Sequence, residues 1–149
     1  MSDYVNLVKL CVGADAVDDL RHWQKGRIAQ RKAAGLDPRP RHVTRMWPKR
    51  ADEILDGGSL YWVFQGAILA RQTIESLDEV IGEDGIRRCA IIMSPEIVLV
   101  ETRPRRPFQG WRYLSAADAP PDLLNQTGDA HGLPPALQIA LNEVGVVAR

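Results

Sequence analysis

Ser59-Leu-Tyr-Trp-Val-Phe-Gln65, followed by Gly66 and Ala67-Ile-Leu-Ala-Arg-Gln-Thr-Ile74, decides the fold. Aromatic and β-branched residues pack well on a pleated surface, so Ser59–Gln65 reads as the strongest strand of the chain. Alternation sends Leu60, Trp62 and Phe64 to one face and Tyr61 and Val63 to the other. Both sets are apolar, so both faces need cover. Gly66 allows a turn or bulge, and 67–74 reads as a second strand. Downstream, 76–82 reads as a polar connection, and Asp84-Gly85 is a hairpin signal before a strand at 86–93. Ser94-Pro95 turns the chain into another strand at 97–102. Residues 103–113 are basic, with prolines and aromatics, and can end in a strand.

Upstream, 6–12 (NLVKLCV) reads as a short strand with one charge, broken by Gly13. Asp15 is the expected cap of a helix from Ala16 to about Ala34, with Gly35 as its stop. Its apolar positions Val17, Leu20, Trp23 and Ile28 make a narrow stripe, so the helix packs by one thin edge. Pro38 and Pro40 stiffen a basic loop. His42–Met46 reads as a strand, and Trp47-Pro48 opens a short helix ended by Gly57-Gly58. After Pro120-Pro121, helices are expected at 122–125 and 135–144. The sum is about five or six strands between terminal helices. The fold class expected is α+β, a single domain over residues 1–149: a small curled antiparallel or mixed sheet, or barrel, flanked by N-terminal and C-terminal helices.

The chain has 149 residues, 45% hydrophobic and 26% charged, which excludes disorder and suits one domain. No run approaches a membrane span, and no signal peptide is read. Cys11 and Cys89 sit in apolar runs and read as buried reduced thiols, which points to the cytoplasm.

The zero net charge hides a division. Residues 21–50 carry ten bases and one acid, whereas 51–100 carry three bases and nine acids. Like charges packed so densely repel unless they are solvated or meet an anion. A solvated face, a polyanion-binding surface and an acidic protein partner all fit.

Most chemistry is absent from the motifs. His22, His42 and His131 have no second ligand at metal spacing, so no metal site and no cofactor is expected. Gly57-Gly58-Ser59 lacks the lysine of a phosphate loop, and Ser59 is not flanked as a nucleophile-elbow serine is. The positive signal is basic residues interleaved with aromatics. One cluster is Arg39, Arg41, His42, Arg45, Trp47, Lys49 and Arg50. The other is Arg103, Arg105, Arg106, Phe108, Trp111, Arg112 and Tyr113. Arginine forks onto phosphate, and flat rings stack on bases. The pairing suits single-stranded or flipped nucleotides better than duplex grooves. The expected partner is therefore RNA or single-stranded nucleic acid, held by the 25–50 helix and loop and the 103–113 segment. Trp47, Trp111 and Tyr61 are the candidate stacking rings. An enzyme on a small anionic substrate in the same pocket is the alternative, with His42, Glu53, Glu101 or Tyr61 as acid or base. A homo-oligomer pairing the basic and acidic segments is the third reading.

The stretch His42-Val-Thr-Arg-Met-Trp-Pro-Lys-Arg-Ala-Asp-Glu-Ile-Leu-Asp-Gly-Gly-Ser-Leu-Tyr-Trp-Val63, with Glu83-Asp-Gly-Ile-Arg-Arg-Cys89 and Arg106-Pro-Phe-Gln-Gly-Trp-Arg-Tyr-Leu114, resembles a bacterial family known only as a domain of unknown function. The likeness covers nearly the whole chain and implies no activity. The order of a short helix ending in glycine, then strands like 59–63 and 67–74, also resembles PUA-like folds of the ASCH and EVE groups. That likeness implies a small barrel that binds RNA or modified bases. No lysine follows Gly57-Gly58, where ASCH domains carry a glycine-lysine signature, so no catalytic residue is carried over.

Overall fold

The structure, a computed structural model, describes residues 4–124. Seven strands and two helices follow one another: β1 (Val5–Leu10), α1 (Val17–Ala33), β2 (Arg41–Thr44), α2 (Ala51–Ile54), β3 (Ser59–Phe64), β4 (Ala67–Ile81), β5 (Arg87–Met93), β6 (Val98–Pro104) and β7 (Trp111–Ser115). The sheet order is β2-β5-β4-β3-β1-β7, with β6 also paired to β4. β1 runs parallel to β3, with Leu7 opposite Leu60; the other pairings are antiparallel. The sheet is therefore mixed and open, and with two helices beside seven strands the fold is α+β or mostly β among the described residues. The strand path does not close into a barrel among the described residues. The helix expected at 135–144 falls outside the described residues.

The β3–β4 hairpin forms as its sequence dictates. Gln65 and Gly66 both take positive φ, +46° and +86°, the backbone a two-residue turn requires. β3 is buried along its whole length. Leu60, Trp62 and Phe64 join Leu7, Cys11, Leu20, Ile91 and Met93 in the main core. Tyr61 and Val63 join Val8, Ile68, Val100 and Leu114 on the other face.

β4 runs to Ile81, beyond the end expected at Ile74. The polar connection expected at 76–82 is strand because β5 pairs with it from Ile74 to Ile81. The register shifts between Ile74 and Ser76, which leaves Glu75 as a bulge residue whose carboxylate meets Arg39 at 3.0 Å. The 84–85 turn forms as expected, with Gly85 N–H donating to Gly82 O at 2.9 Å.

α1 begins after Ala16, not under an Asp15 cap. The Asp19 carboxylate accepts from the backbone N–H groups of Asp15 and Ala16 at 3.0 and 3.1 Å. Asp15 instead accepts from the Gln65 amide. The short helix expected at 122–125 is absent over 122–124. Asp122 bridges to Val100, Glu101 N–H donates to Pro121 O, and the Asp122 carboxylate clamps Arg71 at 2.8 Å. Cys11 and Cys89 are free and buried. No helix among the described residues is long and apolar enough to cross a membrane.

Candidate functional site

Val17 and Leu20 are the buried residues of α1, so the helix grips the sheet near its start. Past Leu20 its inner side carries Trp23 and Ile28 interleaved with Gln24, Arg27 and Arg31, a stripe too broken by polar residues to close onto the sheet. They wall a cleft of about 650 Å³, completed by the end of β1, the loop Pro38–Pro40 and β2, with Trp62 and Met93 at its floor. That volume lies within the roughly 300–1,000 Å³ of small-ligand sites.

One amide pair ties the helix across the cleft. Gln24 and Gln72 exchange two side-chain hydrogen bonds of 2.9 and 2.7 Å. The Gln72 oxygen also accepts from the Trp62 indole N–H at 2.9 Å, and its nitrogen donates to Ser94 O at 3.0 Å. Gln72 is fully buried and fully satisfied, as burial of an amide demands.

The floor carries an unusual cation. Strand alternation puts Lys9 on the same face as Leu7 and Cys11, beside Trp62 in register. Its ammonium makes a single long bond of 3.4 Å, to the carbonyl of Leu10. Burial pulls its pKa below the usual lysine range. His42 stands nearby with its ring edge-on to Trp62, centroids 6.4 Å apart. Burial, and then the Lys9 charge, lower His42 to about 4, so it is neutral at pH 7. The Arg41 Nε is buried without a partner.

Among the described residues, five cations line the cleft (Lys9, Arg27, Arg31, Arg39 and Arg41), and no carboxylate does. Two are committed: Arg39 pairs with Asp37 at 2.7 Å and with Glu75, and Arg31 donates to the Asp37 carbonyl. Arg27 lies over the Trp23 ring at 5.9 Å, and Trp23 is 45% exposed at the mouth. Lys9, Arg27 and Arg41 make no salt bridge among the described residues, although the Arg41 charge is felt by Asp37.

The two basic-aromatic clusters do meet, but along a different seam. The Trp111 indole N–H donates to Met46 O at 2.9 Å. The Tyr113 hydroxyl accepts from the backbone N–H groups of Lys49 and Arg50 at 2.8 and 3.2 Å. Arg50 also pairs with Glu53. Trp47 is partly buried under Arg87, whose guanidinium lies 4.1 Å from the ring centroid. Trp111 and Tyr61 are only 4% and 7% exposed. The rings of these two, expected to stack on bases, pack against the two cores. Of the first cluster, Arg39, Arg41 and His42 reach the cleft. Arg45, Lys49 and Arg50 are exposed outside it.

Arg103, Arg112 and Phe108 of the second cluster lie on the opposite face. Arg112 is paired in register with Val8, which belongs to the second core. Arg105 and Arg112 each lie 5.2 Å from the Phe108 ring centroid. Arg103 donates to Asp118 O, and Arg106 is exposed. The four acid–base candidates do not converge. His42 faces the cleft, Tyr61 the other core, and Glu53 and Glu101 are bound up or exposed elsewhere. No metal-binding group of His, Cys, Asp or Glu occurs among the described residues.

A family model described as a protein of unknown function, DUF1489, matches residues 7–147. The chain belongs to that family. Searches of curated proteins and of solved structures gave no match. DUF1489 membership therefore confirms the likeness carried by 42–63, 83–89 and 106–114 and assigns no activity.

Sequence reasoning missed Lys9, Trp23 and Gln24. Trp23 was placed in the helix stripe, although Arg27 one turn later already paired it with a cation. Lys9 carried the clearer signal: with a period of two, it shares a face with Leu7 and Cys11.

Proposed function

We propose that this protein binds a nucleotide unit of RNA or single-stranded nucleic acid in the cleft between α1 and β2. The observation that carries this reading is five cations around one aromatic-walled cleft with no carboxylate in its lining. Arg27 and Arg41 would fork onto phosphate, and Trp23 offers the exposed ring for a base. The Arg103, Arg105, Arg106 and Arg112 face would hold more of the strand. The order α2–β3–β4 is the part of the fold that supports a PUA-like reading. The two free buried cysteines support a reducing, cytoplasmic setting.

The test is binding of labelled single-stranded RNA, single-stranded DNA and duplex DNA at several salt concentrations. Single strands are expected to bind best, with log affinity falling by roughly 0.7 per log salt for each phosphate neutralised. Arg27→Ala with Arg41→Ala should flatten that slope. Binding by the double variant equal to wild type refutes the assignment.

A second reading, chemistry on the bound anion, is favoured by His42, a neutral imidazole facing the same cleft as Lys9. It predicts turnover of a phosphorylated ligand that His42→Gln abolishes even at saturating ligand.

A further inference from the structure

We infer that the floor of the cleft is a seat for a terminal phosphate, the phosphomonoester end of a nucleotide or strand, held by Lys9, Arg41 and His42. The inference rests on the cleft reading above and sharpens it. The argument starts from Lys9. A lysine on the core face of a strand loses hydration and normally recovers it from a carboxylate. Here the ammonium has one weak bond to a carbonyl and no carboxylate near it. The Arg41 Nε is buried without any acceptor. Two donors left short in the lining of one cleft call for an anion.

The kind of anion follows from charge and access. A phosphomonoester carries about −1.5 to −2 charges near pH 7 and three strong acceptor oxygens. An internal phosphodiester carries one charge and two chain continuations, both of which would have to pass beneath α1. The Gln24–Gln72 bridge crosses from α1 to the sheet, so a continuous strand would have to break it. An end needs only to enter. His42, neutral and edge-on to Trp62, can donate one N–H to the phosphate while its ring limits the room beside it. Above the floor, Trp23 stands where the attached nucleoside would emerge.

The experiment compares one short single-stranded RNA carrying a 5′-phosphate, a 3′-phosphate or hydroxyls at both ends. Nucleoside monophosphates and the matching nucleosides form a second arm. Binding is read by titration calorimetry on the full chain at fixed salt and pH 7.5. A phosphorylated end is expected to bind about tenfold or more tightly than the hydroxyl-ended strand, equivalent to about 1.4 kcal/mol. Lys9→Met should erase that preference, weakening the phosphorylated strand more than the hydroxyl-ended one. Lys9→Arg keeps the charge and should retain part of the preference, which guards against a folding defect in the methionine variant. If monophosphates bind as well as the phosphorylated strand, the source is a free nucleotide; if the strand binds better, it is a nucleic-acid end. Equal affinity for phosphorylated and hydroxyl ends overturns the inference and leaves the cleft reading standing. No binding by any ligand overturns both.

Discussion

His42 should make the fold sensitive to mild acid, at a pH where carboxylates do not yet matter. Its folded pKa of about 4 lies below the ordinary value of 6.5. The unfolded chain therefore binds more protons between these values, and stability falls as pH drops through that window. The contribution is fully present above pH 6.5 and lost progressively towards pH 4. Linkage over this interval gives a loss of about 2 kcal/mol between pH 7 and pH 5. For a chain of this size that lowers Tm by about 4–8 °C. The shifted carboxylates act lower down. Glu53 and Asp122 are held below their ordinary values by Arg50 and Arg71, so their protonation begins below that interval. The assay is thermal unfolding by circular dichroism from pH 7.5 to 4.5, for wild type and His42→Gln. Glutamine cannot ionise, so the variant should hold a nearly level Tm down to pH 5. Parallel curves for the two proteins refute the buried, neutral histidine, and with it the description of the cleft floor.

Three further outcomes follow from the same structure. Lys9→Met removes a desolvated charge with no carboxylate partner and should raise Tm by about 2–4 °C, about 1 kcal/mol, by thermal denaturation; a fall would make the ammonium a structural tie. Gln72→Leu leaves the Trp62 N–H, the Ser94 carbonyl and Gln24 without a partner, so chemical denaturation should show a loss of about 2–4 kcal/mol. Cys11 and Cys89 are both pushed up to about 11 by burial, so iodoacetamide at pH 8 should label them only after unfolding, as mass spectrometry would show.

The sheet was legible where short-range pattern and turn chemistry agreed. Ser59–Phe64 announces its two faces by alternation, and Gly66 and Asp84-Gly85 mark the reversals. The second half of β4 was illegible because its residues 76–81 are polar on the exposed side and gain their strand conformation from β5. No local signal encodes the Glu75 bulge. Asp15 looked like the better cap, yet capping depends on which carboxylate reaches the free N–H groups, and Asp19 reaches two. The basic-aromatic pattern named two clusters that do touch. Composition alone could not say that Trp111 and Tyr113 spend their polar atoms on the Met46–Arg50 backbone.

The cleft follows from a feature that was legible, the thin stripe of α1. A helix with apolar residues at 17 and 20 and polar ones beyond can close onto a sheet over its first turns only. Beyond that point a wider apolar face would have sealed the interior. Here Gln24 reaches Gln72 instead, an amide contact that bridges a gap without filling it. The sheet answers in kind, placing Lys9 where the alternation of Val5, Leu7 and Cys11 would put an apolar residue. A polar helix face or an inward lysine alone would be an ordinary imperfection of packing. Together, across one cleft whose described lining holds no carboxylate, they leave Lys9 on the sheet and Arg27 on the helix without a salt bridge on the two sides of the same space. Such an arrangement costs stability in the empty protein and is relieved by an anion. The Lys9→Met prediction of higher Tm and the loss of phosphate preference are therefore two consequences of one cause, and they should appear in the same variant.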